Sequence, residues 1–219
     1  MTTQAHPRRA LLVIDVQNDY VDGLLPIAWP PVQASLANIG AAIDAARAAD
    51  IPVVVVQQDG PAGATPFAKG SAGWQLHEVV AGRVNDLHVH KTLPSPFPET
   101  ELLAWLQTRA IDTVTVVGYM TQNCVASTIV HALHFGLNAE FLVDASGTLP
   151  YQNATGRIEA EEVHRVFSVV FQSRFAAVAS TQAWVEAVRA RVALPRDNVF
   201  ASSLRGRGVN PGEPPVRAS

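Results

Sequence analysis

The sequence predicts an α/β protein: one doubly wound, mainly parallel sheet of six strands with helices on both faces. Two observations carry this expectation. Short apolar runs such as Ala10-Leu11-Leu12-Val13-Ile14 and Val53-Val54-Val55-Val56 show no polar alternation, as strands covered on both faces require. They alternate with longer segments whose apolar residues recur at helical spacing, and that alternation closes most simply as one sheet with right-handed crossovers. A third observation points to function. Three of the strands end in, or lead straight into, Asp15, Lys91 and Cys124. In such a sheet the carboxyl ends of the strands share one rim, where ligands bind.

Residues 1–9 form a short N-terminal extension, and 10–194 form the domain. The run 10–16 reads as the first strand with Asp15 near its end, and 17–23 as a polar loop. Pro30-Pro31 opens a helix to about 49, striped by Leu36, Ile39, Ile43 and Ala46. Residues 51–56 form the second buried strand. The stretch 59–82 is rich in Gly, Ala and Pro and holds Trp74 and His77; its length and irregularity fit a functional loop or lid. A shorter strand, 86–90, ends at Lys91. Pro94-Ser95-Pro96-Phe97-Pro98 makes a rigid loop, and 99–109 a helix with Leu102, Leu103 and Leu106 inward. The strand around Val114-Thr115-Val116-Val117 leads through a tight turn into a helix bearing Val125, Ile129, Val130 and Leu133. A further strand spans 138–143, a helix 158–172 and a last short strand 175–179. Ser180-Thr181 is placed to cap the helix 182–192. The tail 195–219 has no periodicity and reads as disordered, or as an arm laid on a partner subunit.

Of the 219 residues 48% are hydrophobic and 16% charged, so a large buried core is expected. A net charge of −3, with no basic cluster ahead of the tail, argues against nucleic acid as a partner. No apolar run nears the roughly 20 residues of a membrane helix, and the polar N-terminus shows no signal-peptide pattern. No membrane partner and a cytoplasmic location are expected. The single cysteine allows no internal disulfide and no cysteine-based zinc site, and it fits a reducing compartment. No glycine-rich nucleotide-binding pattern follows a strand.

Cys124 sits where a strand passes through a sharp turn into a helix, the layout of a nucleophile elbow. Free N–H groups and the helix dipole at such a place favour the thiolate over a thiol of ordinary pKa, about 8.5. The competing reading is a buried structural cysteine. On a common rim the chemistry is coherent. Cys124 attacks an acyl carbon, and Asp15 takes its proton and returns it to the leaving group. Lys91 keeps Asp15 ionised and supports the thiolate. Backbone N–H groups of the turn face the oxyanion. Histidines fit less well. His131 lies two helical turns from Cys124, roughly 10 Å along the axis. His88 and His90 share a strand face that Lys91 does not. His77, beside Trp74, is the best pocket histidine, although a loop-packing role is favoured. Glu159-Ala160-Glu161-Glu162 reads as a solvated helix face.

Over about residues 9–190 the chain resembles the isochorismatase-like cysteine hydrolases, which include nicotinamidases, isochorismatases and N-carbamoyl amidohydrolases. The resemblance rests on Leu12-Val13-Ile14-Asp15-Val16-Gln17-Asn18-Asp19-Tyr20, on Gly73-Trp74-Gln75-Leu76-His77 and on Lys91 with Phe97. It rests also on Gly118-Tyr119-Met120-Thr121-Gln122-Asn123-Cys124-Val125 with Thr128, and on Asp144-Ala145. It implies a triad of Asp15, Lys91 and Cys124, and a cis peptide between Tyr119 and Met120. The oxyanion hole would then be the N–H groups of Met120 and Cys124. Tyr20, Gln58, Trp74, Phe97 and Tyr119 are its substrate-pocket candidates. Nicotinamidases carry a metal-binding Asp-x-His after the second strand. Here Gln58-Asp59-Gly60 stands in that place, so no metal and no other cofactor is expected, and nicotinamide is disfavoured as substrate. The cysteine favours hydrolysis of an amide, carbamoyl or ureido C–N bond of a small molecule over the vinyl-ether cleavage of isochorismatases. A nicotinamidase proper and a non-catalytic binding scaffold on the same fold are the alternatives. The assembly common in the family, with the apolar flanks of helices 31–49 and 158–172, implies a homodimer or larger.

Overall fold

The computed structural model describes residues 6–61, 63 and 65–209. In chain order it runs β1 (Arg9–Ile14), α1 (Val32–Ala48), β2 (Val53–Gln58), α2 (Glu78–Ala81) and β3 (Leu87–Lys91). There follow α3 (Leu102–Thr108), β4 (Thr113–Tyr119), α4 (Ala126–His134) and β5 (Asn138–Gly147). The chain continues with β6 (Tyr151–Asn153), β7 (Gly156–Ile158), α5 (Ala160–Val170), β8 (Ala177–Ala179), α6 (Thr181–Ala190) and α7 (Val199–Gly206). Six strands form one sheet in the order β3-β2-β1-β4-β5-β8, and every neighbouring pair is parallel. The order runs outward from β1 to β3, then returns to β4 at the other side of β1. The crevice at that reversal is where open α/β sheets bind ligands, and Asp15 and Cys124 follow the two strands that border it.

The unbroken apolar runs are explained by what covers the sheet. Leu11, Val13, Val53 and Val55 pack with Leu36, Ile39 and Ile43 of α1 and Trp184 of α6. Their neighbours Leu12, Ile14, Val54 and Val56 pack with Leu102 and Leu106 of α3 and Ile129 of α4. Successive strand residues face opposite sides, and both sides are core. At the amino ends of the strands lies a buried ion pair. Arg9 grips Glu140 through Nε and Nη2 at 2.8–3.1 Å, and Glu140 also accepts from Thr115 and Trp184.

One glycine shapes the rim. Gly118 has φ +101°, and a Cβ there would stand 2.1 Å from the Ile14 carbonyl oxygen. The β4–β5 register shifts between Val116 and Gly118. The missing side chain lets the end of β4 lie directly against the end of β1.

Several element boundaries differ from the sequence reading. Residues 151–158 form the antiparallel hairpin β6–β7, turned by Asn153, whose Oδ1 accepts from both N–H and Oγ1 of Thr155. The expected helix 158–172 therefore starts at Ala160, and a widened turn, Phe171–Phe175, ends it. That turn takes Phe175 out of the last strand. The helix expected from 99 starts at Leu102, because Glu99 is left-handed at φ 60° and Thr100 Oγ1 accepts from the Leu102 N–H. Ser180 does cap α6, accepting from Ala183 N–H. Where an aperiodic tail was expected, residues 199–206 form α7, capped by Asn198; residues 210–219 lie outside the described residues. Among the described residues no helix is long and apolar enough to cross a membrane.

Candidate active site

β1 delivers Asp15 to the rim. Its backbone is left-handed, φ 49°, and its N–H donates to the Val56 carbonyl at 2.9 Å. An aspartate tolerates this region better than most residues, and the turn buries its side chain completely. Lys91 ends β3 and reaches across β2. Its Nζ lies 2.7 Å from Asp15 Oδ2, 2.6 Å from Gln58 Oε1 and 3.4 Å from Cys124 Sγ. Two of these contacts, to Gln58 and Cys124, are hydrogen bonds, and the third is an ion pair with Asp15.

Cys124 lies in a widened turn, Thr121–Val125, that joins β4 to α4. Such turns occur mostly as single insertions at functional sites. The Met120 carbonyl accepts from Asn123 and Val125 N–H, and Thr128 Oγ1 donates to the Cys124 carbonyl at 2.6 Å. The Tyr119–Met120 peptide is cis. Behind the turn, Thr121 Oγ1 lies 2.8 Å from His164 Nδ1, and His164 Nε2 lies 2.9 Å from the Val143 carbonyl. A carbonyl only accepts, so Nε2 carries the proton and Nδ1 accepts from Thr121. Burial lowers the His164 pKa and keeps the ring neutral.

Burial pushes the Asp15 pKa up, and the Lys91 ammonium opposes it without cancelling it. Burial acts to lower Lys91, but the adjacent Asp15 and Cys124 outweigh it and leave Lys91 raised. Burial, then the Asp15 charge, push the Cys124 thiol far above its ordinary value, with Lys91 a partial offset. The resting site is thus an Asp15–Lys91 ion pair beside a neutral thiol. This corrects the expectation of a thiolate at a helix start. The thiol is 5% exposed and faces a carboxylate, and desolvation with like charge exceeds the pull of the helix end.

The other predicted residues divide. Gln58 is in the site, holding Lys91. Tyr20 is buried against Phe67 and Tyr119, at ring distances of 4.9 and 5.7 Å. Burial raises its pKa, with the Cys124 and Asp15 charges adding to the effect. Phe97 packs in the same apolar cluster as Cys124. Trp74 is turned outward, its Nε1 donating to Asp59 Oδ1 at 2.7 Å and its ring stacked on His90. Tyr119, expected in the pocket, is a core residue instead. It is fully buried with its hydroxyl 2.7 Å from Ser35 Oγ of α1, because strand alternation points it away from the side that Cys124 occupies. His77 Nδ1 accepts from Val79 N–H and caps α2, and His131 packs on Phe97 and Phe135.

Three residues were given no role of their own by the sequence reading. Gln17 is fully buried, donates to the Gln58 and Trp74 carbonyls and accepts from Gln58 N–H. It thereby ties the end of β2 and the 59–77 loop to the first motif. Gln122 donates to the Tyr151 hydroxyl, and Tyr151 is close enough to Cys124 for a thiolate there to raise its pKa, burial being the larger cause. The turn residues Asn153 and Gly156 were the available signal for the hairpin that carries Tyr151.

The position of the nicotinamidase metal motif does not fit a cation. The Asp59 carboxylate already binds the Trp74 indole, Lys69 Nζ at 2.8 Å and His90 Nδ1 at 3.1 Å. Lys69 puts a positive charge where a metal ion would have to sit. A cavity of about 160 Å³ opens beside Lys91, between Asp59, His90 and Pro98–Thr100. Two larger hollows, about 610 and 600 Å³, lie at the opposite rim around Arg9, Asp50 and Asp112, away from this chemistry.

The comparisons with known proteins agree with this geometry. Residues 9–183 match the isochorismatase domain model. A crystallised chain of Burkholderia xenovorans LB400, described as a candidate isochorismatase, is 59% identical. It superposes with a TM-score of 0.92 over 93% of this chain and 98% of its own. A secreted isochorismatase effector of Verticillium dahliae is 29% identical over 168 residues, 75% of this chain and 87% of that protein. The ureidoacrylate amidohydrolase RutB of Stutzerimonas stutzeri is 29% identical over 170 residues, 63% of this chain and 68% of that protein. With a fold, a rim and a domain match that all coincide, the chain belongs to the isochorismatase family of hydrolases.

Proposed function

We propose that the protein is a cysteine hydrolase that cleaves the C–N bond of a small amide, carbamoyl or ureido compound through a thioester at Cys124. One observation carries this reading. A single buried ammonium, Lys91 Nζ, touches both the carboxylate of Asp15 at 2.7 Å and the thiol of Cys124 at 3.4 Å. An ion pair costs desolvation energy and is poor value for stability alone, whereas this one holds a base beside a nucleophile.

In the proposed reaction the substrate carbonyl lies over Sγ with its oxygen toward the N–H groups of Met120 and Cys124. The S–C bond forms as the thiol proton passes to Asp15. The tetrahedral adduct collapses, its C–N bond breaks, and Asp15 gives the proton to the departing amine. Water then attacks the thioester, Asp15 takes its proton and returns it to the sulfur as the S–C bond breaks, so the acid leaves and the Cys124 thiol is restored. A raised Asp15 pKa suits this cycle, since a more basic carboxylate takes a thiol proton at lower cost. Tyr20, Gln58 and Phe97 line the acyl end. Relatedness to an amidohydrolase named for a ureido substrate supports C–N cleavage. The engaged Asp59 favours this over a metal-assisted nicotinamidase.

The catalytic thiol must stay reduced, which fits a cytoplasmic location. Exposed Val166, Val169 and Val170 on α5 and Phe135 after α4 support assembly into at least a dimer; light scattering giving the 23.4 kDa of one chain would refute that. The function is tested by an ammonia-release screen over small amides and ureas, with intact mass spectrometry of the quenched enzyme. Turnover with an acyl adduct on Cys124 is expected. Turnover that survives in Cys124→Ala overturns the covalent route.

A further inference from the structure

Behind the nucleophile lies a buried polar chain that the proposed reaction does not use. Thr121 opens the turn Thr121–Val125 that carries Cys124. Its Oγ1 has three acceptors around it: His164 Nδ1 at 2.8 Å, the Gly147 carbonyl at 3.2 Å and Ser146 Oγ at 3.3 Å. Ser146 gives its own proton to the Gly118 carbonyl at 2.6 Å, at the end of β4 that lies against β1. The Thr121 hydroxyl has one proton, and the imidazole is the nearest group to take it. His164 Nε2 is already committed as the donor to Val143 of β5. Thr121 and Ser146 are fully buried, and His164 is 4% exposed, so each member of the chain has lost its water. The imidazole also packs on Phe141 at a ring distance of 6.1 Å. An apolar ring would make that contact as well, so packing alone does not call for a histidine here.

We propose that His164 is a positioning residue for the hydrolysis: by accepting from Thr121 it fixes the start of the nucleophile turn, and with it the aim of the Met120 and Cys124 N–H groups at the substrate oxygen. This rests on the hydrolase reading above. The oxyanion donors are backbone groups, so they are oriented by the conformation of the turn. Within the turn the Met120 carbonyl accepts from Asn123 and Val125, and Thr128 holds the Cys124 carbonyl. Those bonds give the turn its shape, but they do not fix it against the strand beside β4. His164 does, because one ring nitrogen is anchored on β5 and the other holds Thr121. The ring stays neutral, and no bond is made or broken on it. Donors aimed at charge that develops only in the transition state act on kcat and leave substrate binding alone.

Two amide side chains separate the two contacts of the ring. His164→Gln places an amide N–H near Nε2 and keeps the bond to Val143, but Thr121 loses its acceptor and turns to the Gly147 carbonyl. His164→Asn places a carbonyl oxygen near Nδ1 and keeps Thr121, but Val143 loses its donor. Steady-state kinetics use a compound that turns over in the ammonia-release screen, and urea midpoints correct for the folded fraction. His164→Gln is expected to lower kcat by about tenfold to a hundredfold, short of the roughly 10²–10³ lost with a whole oxyanion donor, with KM within about threefold of wild type. His164→Asn is expected to keep kcat within about threefold, even where its midpoint is the lower of the two. Equal kcat in the two variants, or the reverse order, overturns the inference and leaves the hydrolase reading standing. Thr121 gives a second route if a histidine variant does not fold. Thr121→Val should match the loss of His164→Gln, Thr121→Ser should restore the rate, and His164→Gln with Thr121→Val should be no slower than the slower single variant. A Thr121→Val enzyme with wild-type kcat, or losses that multiply in the double variant, overturn the inference. Nitrogen-15 NMR of the wild type should show the Nε2–H tautomer of His164; the Nδ1–H tautomer overturns the inference, since Nδ1 could not then accept from Thr121. A wild type silent on the whole amide and urea panel overturns the hydrolase reading and this inference together.

Discussion

Lys91→Met tests the site through its charge. The substitution keeps an unbranched side chain of similar length but removes the ammonium that stands 2.7 Å from Asp15, in a pair whose side chains are 1% and 0% exposed. A buried carboxylate left alone has two options. It can stay ionised and unpaired, which costs several kcal/mol, or it can take a proton. Protonation caps the penalty. Relative to an unfolded carboxyl of pKa about 3.9, holding the proton at pH 7 costs about 3 units, or about 4 kcal/mol, at 1.36 kcal/mol per unit. At pH 5 the same cap falls to about 1.5 kcal/mol. The sign follows from proton counting. In the variant the folded state binds a proton that the unfolded state has released above pH 3.9, so stability falls as pH rises. The usual aspartate, paired and depressed, behaves the opposite way.

The measurement is urea unfolding of wild type and Lys91→Met at pH 5 and pH 7 with slopes checked for two-state behaviour. The destabilisation should grow by about 2–3 kcal/mol between those pH values. Turnover should fall by about 10²–10⁴, because a protonated Asp15 cannot accept the thiol proton. A pH-independent loss of stability would show that Asp15 stays ionised without its partner and that the charge argument is wrong. A variant with near wild-type kcat would remove Lys91 from the mechanism.

The remaining tests address the nucleophile, the rim and the far end of the sheet. Cys124→Ala should lose all turnover yet unfold within about 1 kcal/mol of wild type, as it deletes one small buried group; calorimetry and the ammonia assay read the two effects separately. Gly118→Ala should destabilise by more than about 2 kcal/mol, since the new Cβ would meet the Ile14 carbonyl oxygen at 2.1 Å on a φ of +101°. Chemical denaturation checks it, and a neutral result would mean that β1 and β4 do not meet as described. Arg9→Ala should cost about 3–5 kcal/mol by leaving the buried Glu140 unpaired, while the folded fraction keeps its kcat, because Arg9 and Glu140 lie at the opposite ends of the strands from Cys124.

How much of this could be read in the sequence depended on which physical rule governed each residue. The central strands were readable because both faces of the sheet are core there, so Leu11–Ile14 and Val53–Val56 carry no polar interruptions. Asp15, Lys91 and Cys124 could be grouped because parallel strands put all carboxyl ends on one rim. The hairpin β6–β7 was not visible. Its strands are three residues each, exposed or half-buried, and too short for any period to register. With it went Tyr151, and with Tyr151 the setting of Gln122. Tyr119 was misplaced for another reason. The motif names the residue, but only the alternation of β4 and the position of Ser35 on α1 decide which way the ring points. The protonation of Cys124 was misjudged because a helix start is a local signal, whereas burial is a property of the packed core and the Asp15 charge comes from a strand more than a hundred residues away.

That protonation state leads to a last prediction. The triad holds one negative carboxylate, one positive ammonium and a neutral thiol, so it is buried at zero net charge. Attack moves the thiol proton within the site and brings no new ion in from solvent. The pH profile of kcat/KM should then be bounded by the ion pair and not by the cysteine. The acid limb marks protonation of Asp15, the base, and must lie above the ordinary aspartate range because burial raises that pKa. The alkaline limb marks loss of the Lys91 proton and must lie above the ordinary lysine value, because Asp15 and Cys124 outweigh burial there. The same shift stabilises the fold below the unfolded lysine pKa and is lost as pH rises through the folded one. Between the limbs the rate should be flat, with no step where a free thiol ionises. Initial rates from pH 4 to pH 10 check it: the acid limb and the flat region should appear, with no alkaline fall inside that range. A rise in kcat/KM near pH 8.5, the ordinary cysteine value, would mean that the enzyme draws on a pre-formed thiolate and that Asp15 is not the base.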